Sequence, residues 1–451
     1  MTQTKTSEEV KRIEEGYKIL IPTVYPEKFP TGFTLQPTDW ALTERAINRP
    51  SIEAIVKEER RMIRPIGTMD VEFLSNALVK LTKEGEIDLV KNYPCGLKCP
   101  GCFSQEEIYG DRENLMFWQD TMKIIDRGIE IGLTSLKFLG PGELFQNPDL
   151  FDILNALKER NMPLSIFTKG AELGSNDLAR QIYGSQGIRS AKDLVRRVAE
   201  YGNVRILLGF NSFFSDRQDK MVGSSSVTQD YQFFNEAIVQ RGVANYTSKR
   251  NQALANLVEA GFNSPEKGQR LSLIAAPVAL YQIDEIPSMY VWAARRNIPL
   301  IIAPTMESGP KSIGLSLHNK KLDPNHEKLI EMMTEVYSRA IDSGILSLEQ
   351  IRRGGISAYM GTSPCNQVAN GLFMRLNGRI QTCPGRSDAS AVYGNVHETP
   401  LAEIWANSPN YTLGPLANNW CTAKTTGMPS RIQEETLIRL EKKYSSEEEH
   451  D

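Results

Sequence analysis

The stretch Tyr93–Phe103, Y-P-C-G-L-K-C-P-G-C-F, holds three of the chain's six cysteines, at Cys95, Cys99 and Cys102. Their spacing is C-x₃-C-x₂-C. An odd number of thiols does not pair off into disulfides. A structural zinc site takes four ligands, usually in paired C-x₂-C knuckles, and no nearby His or Cys completes one here. An ordinary [4Fe–4S] site also takes four thiolates. Three thiolates on a cubane leave one iron with open coordination positions. A small molecule carrying an amine and a carboxylate can chelate that iron.

The rest of the chain sets the context. It has 451 residues, 40% hydrophobic and 24% charged, with a net charge of −3. That is ordinary for a globular protein of two or three domains. No basic excess points to nucleic acid, and no acidic excess points to disorder. The opening M-T-Q-T-K-T-S-E-E-V lacks an apolar signal core, and no run of eighteen apolar residues suggests a membrane span. A cytoplasmic protein is expected, where thiols stay reduced and clustered cysteines serve metals or catalysis.

From residue 87 the texture becomes alternating strands and helices. Strands are expected at 87–93, 133–139, 164–168, 204–210, 271–278 and 300–304, each a short apolar run closed by Gly, Pro or Asn. Helices are expected at 114–131, 148–161, 190–201, 246–261 and 283–297, with Leu115, Trp118, Met122, Ile125 and Ile129 forming one stripe on the first. The fold class is α/β: a parallel sheet forming a partial (β/α)6 barrel. Residues 1–86 read as an N-terminal extension, 87–310 as the partial barrel and 311–360 as a helical linker. Residues 361–430 read as a small C-terminal α+β domain, and 431–451 as a charged tail.

The cysteine loop follows directly on the first expected strand, and an aromatic, Phe103, follows its third cysteine. In spacing and position it resembles the radical S-adenosylmethionine (radical SAM) superfamily. In that family an aromatic more often precedes the third cysteine, where Gly101 stands here. The resemblance implies a [4Fe–4S] cluster on Cys95, Cys99 and Cys102, with S-adenosylmethionine (AdoMet) as cofactor. G-P-G-E, Gly140 to Glu143, resembles the family's G-G-E-P motif. Gly140 and Gly142 let the backbone approach the methionine part of the cofactor, and Glu143 accepts from its ammonium. Thr168 and Lys169 end one strand where the family often carries T-N-G. Asn211 and Ser212 end the next, and both pairs are candidate cofactor contacts, although turn chemistry accounts for them equally well.

Cys365, Gly378 and Cys383 fit C-x₁₂-G-x₄-C, and G-N-V-H-E-T-P-L-A-E-I-W follows at 394–405. This resembles the SPASM or shorter twitch domain appended to many radical SAM enzymes. A full SPASM domain carries seven cysteines; Cys365, Cys383 and Cys421 are the three present. Three readings stand for them: one auxiliary [4Fe–4S] cluster, with His397 among the candidates for a fourth ligand; a thiol that gives a hydrogen atom to a substrate radical; or core packing.

The resemblance implies hydrogen abstraction from a substrate carbon by a 5′-deoxyadenosyl radical, with a donor such as flavodoxin or ferredoxin supplying the electron. The leading expectation is modification of a ribosomally made peptide by α-carbon epimerisation. The alternatives are a sugar or cyclitol dehydrogenase or dehydratase, using residues such as Arg217 and Glu307, and a zinc-stabilised binding protein.

Overall fold

The computed structural model describes residues 21–25, 64–75, 79–81, 87–89, 97, 99, 114–139, 142–223, 232–234, 237–239, 245–268, 270–304, 324–356, 370–385, 391–412 and 430–448. Its strands are β1 (Thr68–Val71), β2 (Val79–Leu81), β3 (Ile87–Leu89), β4 (Ser135–Phe138), β5 (Leu164–Thr168), β6 (Val204–Gly209), β7 (Gln232–Phe234), β8 (Ala237–Val239), β9 (Leu271–Ala275), β10 (Leu300–Ile302), β11 (Gly371–Met374), β12 (Arg379–Gln381) and β13 (Val392–Asn395). One nine-stranded sheet has the order β10-β9-β6-β5-β4-β1-β11-β12-β13. Neighbours from β10 to β11 run parallel, while β12 and β13 are antiparallel. The sheet is open, not a closed barrel. β2–β3 and β7–β8 are separate antiparallel pairs.

The connecting helices are α1 (Trp118–Glu130), α2 (Leu150–Glu159), α3 (Ala171–Gly174), α4 (Asn176–Tyr183), α5 (Ala191–Glu200), α6 (Ser215–Met221), α7 (Tyr246–Glu259), α8 (Ile286–Ala294), α9 (His326–Asp342), α10 (Leu348–Gly354), α11 (Leu401–Asn407), α12 (Pro409–Thr412) and α13 (Ser430–Glu448). They form where apolar residues recur at helical spacing. α1 buries Met122, Ile124 and Ile125, whereas Ile129, expected on the same stripe, is exposed. α7 buries Leu254 and Leu257. No helix among the described residues is long and apolar enough to cross a membrane.

Strand alternation divides the sheet into two faces. Met69, Val71, Leu136, Phe138, Leu164, Ile166, Ile206 and Leu208 enter the large core that includes the helices. The alternate positions face the other way. There Leu207, Ile274, Ile301 and Ala303 form a smaller apolar cluster with Phe167 and Ala276. At one level across that inner face the register aligns Phe373, Asp70, Lys137, Ser165 and Arg205.

Two findings differ from the sequence reading. The run expected as the first parallel strand, 87–93, supplies β3, which pairs with β2; residues 90–93 lie outside the described residues. The place beside β4 is taken by β1, from within the expected extension. T-M-D-V-E-F alternates strictly, so Met69, Val71 and Phe73 reach the core while Thr68, Asp70 and Glu72 do not; acidic residues at alternate positions disguise a strand whose Thr68 to Val71 are all buried. The second finding concerns 361–430: its strands β11 to β13 extend the main sheet, with Thr68 opposite Gly371 and Val71 opposite Met374. Arg64 fastens the same junction. Its guanidinium lies 4.7 Å from the Trp405 ring centroid and 5.1 Å from that of Tyr411, and it donates to the Asn410 and Tyr411 carbonyls at 2.8 Å each.

Candidate active site

The carboxyl ends of β4, β5 and β6 meet at one rim. Leaving β4, the chain passes through Gly142 at φ +90°, a conformation that suits glycine, and delivers Glu143 to the rim. Glu143 Oε1 accepts from the Phe145 amide at 3.3 Å, capping a short 3₁₀ turn, and Oε2 accepts from the Lys169 amide at 3.0 Å. One side chain thus ties the end of β4 to the end of β5. Burial pushes the Glu143 carboxyl up to about 8, and the neighbouring Glu172 adds to this. Hydrogen bonds from Lys169, Thr168 and Phe145 offset part of the shift.

Glu172, at the start of α3, is fully buried. Its Oε1 accepts from Gln146 Nε2 at 2.6 Å, while its buried Oε2 has no hydrogen-bond partner among the described residues. Burial pushes its carboxyl up as well. Tyr183 and Tyr246 are fully buried beside the two carboxyls. The Tyr183 hydroxyl donates to the Phe145 carbonyl at 2.9 Å, and that of Tyr246 to the Lys169 carbonyl at 2.8 Å. Nothing in A-E-L-G marks Glu172 as special in the sequence; only the fold brings it beside Glu143.

Cys99 stands at this rim. It is half-buried and packs with Leu97 against Ala171, Leu178, Val222 and Tyr246. Burial pushes its thiol up, the Lys169 ammonium opposes that, and Glu143 adds to it. Lys169 runs its stem over Gly209, where a β-carbon would meet the lysine Cδ at 2.9 Å, and holds Nζ 5.0 Å from the Phe167 ring centroid. The thiol, the carboxylate and the ammonium therefore converge from three separate stretches of chain. Thr168 is buried below, its hydroxyl accepting from the Gly170 amide at 2.8 Å.

Asn211 and Ser212 sit at the same rim, at the end of β6, and their bonds brace the loop. Asn211 Oδ1 accepts from the Ala276 amide at 2.8 Å. The Ser212 hydroxyl donates to Glu285 at 2.9 Å and accepts from the Phe214 amide at 2.9 Å. Arg217 binds Glu285 and Asp284, and Arg250 donates to Gln218 and to the Ser212 carbonyl.

Cys383 lies elsewhere. β12 runs antiparallel to β11, with Gln381 opposite Phe373. Asn410 Nδ2 donates to the carbonyls of both Gly371 and Thr382, which fixes Thr382 beside the start of β11. Cys383, 8% exposed, is therefore at the amino end of the parallel strands. Counting six residues from the Gly371 level to Lys169 puts it about 20 Å from the Cys99 rim. One cubane does not bridge that gap. His397 touches Gly378 at the other end of β12, so it does not complete a site with Cys383. Cys95, Cys102, Gly140, Cys365, Cys421 and Glu307 lie outside the described residues.

No protein-family model matches the chain, and no curated protein matches it in sequence. Solved structures do match in fold. A structure described as native anSMEcpe with bound AdoMet superposes with a TM-score of 0.50 at 9% identity, over 83% of this chain and 97% of the other. Streptococcus suis SuiB bound to S-adenosylmethionine matches at TM-score 0.48 and 16% identity, over 86% of this chain and 76% of the other. The chain shares its fold with the AdoMet-bound anSMEcpe structure.

Proposed function

We propose that the chain is a radical SAM enzyme, and that Cys99, with Cys95 and Cys102, holds a [4Fe–4S] cluster at the rim. The convergence of Cys99, Glu143 and Lys169 on one sheet end carries this reading. The residues suit the absent groups. Glu143 and Glu172 are buried carboxyls that the fold leaves in need of a positive partner, which the AdoMet ammonium supplies. Lys169 favours the thiolate form that Cys99 needs as an iron ligand. When bound, the reduced cluster and AdoMet supply a 5′-deoxyadenosyl radical, which takes a hydrogen atom from a substrate carbon.

The chain's own work is to hold and shield. Glu143 orients the ammonium by its tie to Lys169. The inner apolar cluster of Leu207, Ile274 and Ile301 keeps water from the rim. For the substrate we infer a peptide. Among the described residues β13 ends the sheet order and is half-exposed along its length, an edge to which an extended chain can add. The reaction is α-carbon epimerisation. A C-terminal thiol, that of Cys365 or Cys383, returns the hydrogen: its S–H hydrogen passes to the carbon radical, leaving a thiyl radical. One electron from a flavodoxin- or ferredoxin-type donor and one proton from water restore the thiol.

The test is incubation of the reconstituted enzyme with its peptide in deuterium oxide. One deuterium at an inverted α-carbon, lost in Cys365→Ala or in Cys383→Ala, is the expected outcome. Inversion that persists unchanged in both variants removes the donor role, and a product without inversion removes epimerisation.

A further inference from the structure

Lys169 follows the last residue of β5, and its two halves do different things. Its backbone belongs to the rim, where the amide donates to Glu143 Oε2 at 3.0 Å. Its side chain turns back along the inner face. The stem lies across Gly209 of β6, where a β-carbon would stand 2.9 Å from Cδ and 3.1 Å from Nζ. A larger residue at that position would push the stem aside. The ammonium ends 5.0 Å from the centroid of the Phe167 ring, so the charge is drawn back from the rim toward the Phe167 level. Lys169 is half-buried, and so within reach of a ligand, as are its apolar neighbours Phe167 and Ala276. Behind them lie Leu207, Ile274 and Ile301. Among the described residues Nζ makes no hydrogen bond and no ion pair. Lys137 of β4, on the same face, differs: it is nearly inaccessible and is paired with Asp70 of β1, Nζ standing 3.3 Å from Oδ1.

An ammonium partly withdrawn from water gains from an anion that is withdrawn with it. The ring face supplies only part of that gain. The Cys99 sulfur, whose thiolate form Lys169 favours, is committed to iron on the reading above. AdoMet carries a carboxylate, which chelates the open iron together with its amine. The anion left for Lys169 is the substrate's. A lysine is a point charge on a flexible stem, which suits a single carboxylate oxygen. Apolar surface beside one cation fits a short apolar stem with an acidic end, as in aspartate or glutamate. Inversion takes place within a chain, so the carboxylate is that of a side chain.

We infer that Lys169, laid on the inner face across Gly209, receives a side-chain carboxylate of the substrate peptide, so that the residue presented to the rim lies beside an aspartate or glutamate. This rests on the peptide reading above and adds the residue that selects the sequence. Lys169 meets the substrate away from the reacting carbon, so it sets specificity.

The test uses the anaerobically reconstituted full chain with AdoMet bound. Binding of acetyl-valyl-glutamyl-valine N-methylamide is measured by calorimetry beside its glutaminyl counterpart and beside pentanoate. Wild type is expected to bind the glutamyl peptide about tenfold or more tightly than either. Lys169→Met should remove the preference and Lys169→Arg should keep most of it. Gly209→Ala retains the lysine but displaces its stem, and should weaken the preference as well. Equal or undetectable binding of the two peptides by wild type overturns the inference, and the deuterium experiment still decides the peptide reading. A full preference that survives in both Lys169→Met and Gly209→Ala overturns it too. Pentanoate bound as tightly as the glutamyl peptide overturns it by removing the peptide reading on which it rests. A glutaminyl peptide with a free C-terminal carboxylate, bound as tightly as the glutamyl one, overturns the side-chain assignment. AdoMet affinity is measured separately at equal iron content. A tenfold loss of it in Lys169→Met with the glutamyl preference intact would give the carboxylate to AdoMet and overturn the inference.

Discussion

Glu143 carries the most at the scale of single residues. Its two oxygens already hold the Phe145 and Lys169 amides, so its loss disturbs both the turn and any ammonium placed against it. Glu143→Gln keeps the shape and removes the charge. A hydrogen bond to a charged group contributes about 1.5–3 kcal/mol, so AdoMet affinity should fall roughly tenfold to a hundredfold. Equilibrium binding to the anaerobic protein checks this, and unchanged affinity would remove Glu143 from the site. Little of this residue's setting was legible beforehand. G-P-G-E identified Glu143, because a glycine-flanked acid after a strand is a local signal. Glu172 gave none, because its role depends on α3 meeting the 3₁₀ turn, a contact between distant stretches. Asn211 and Ser212 were rightly placed at a strand end, yet their hydrogen bonds serve the loop with Glu285 and Ala276.

At the scale of elements, Gly174 shows how closely α3 and α7 approach. A β-carbon there would lie 1.7 Å from the Lys249 carbonyl oxygen, which is backbone and cannot rotate away. Gly174→Ala must part the helices. Overpacking of this kind costs about 1–3 kcal/mol, and for a cooperative unit of this size we expect the midpoint of thermal unfolding to drop by about 1–3 °C. The Asp70–Lys137 pair gives a prediction of opposite sign. The folded pKa of Asp70 is about 6 against an ordinary 3.8. The folded state therefore holds its proton more tightly than the unfolded state. Stability should fall as pH rises from about 4 to about 6 and stay lower above, by at most about 3 kcal/mol. Asp70→Leu/Lys137→Met should lose this decline and be at least as stable as wild type at pH 7, whereas Asp70→Asn alone strands a buried lysine and should be less stable. Denaturant titrations at pH 4, 6 and 8 read both effects. The strands β4, β5, β6, β9 and β10 were legible because apolar runs announce burial. β1 was not, since its alternate positions Thr68, Asp70 and Glu72 face away from the helix-side core and resemble a surface strand.

For the whole molecule, the decisive feature is that β1 lies between β4 and β11. The C-terminal segment completes the sheet that the barrel begins, and Arg64 stacks on Trp405 and Tyr411 to fasten the junction. Unfolding of the full chain should therefore show one cooperative transition for sheet and tail together. Calorimetry resolving an independent transition that is lost on deleting residues 361–451 would contradict this. The C-x₃-C-x₂-C spacing on which the proposed cluster rests is a local pattern, readable from sequence. The separation of Cys383 from Cys99 was not readable, because it depends on β12 running against its neighbours.

The most direct test is chemical. The protein is purified without oxygen, its iron and sulfide are restored, and it is given AdoMet and dithionite. Chromatography should then show 5′-deoxyadenosine from wild type and none from the Cys95→Ala/Cys99→Ala/Cys102→Ala variant. An iron-loaded wild type that yields none, or a triple variant that yields as much, would contradict the account.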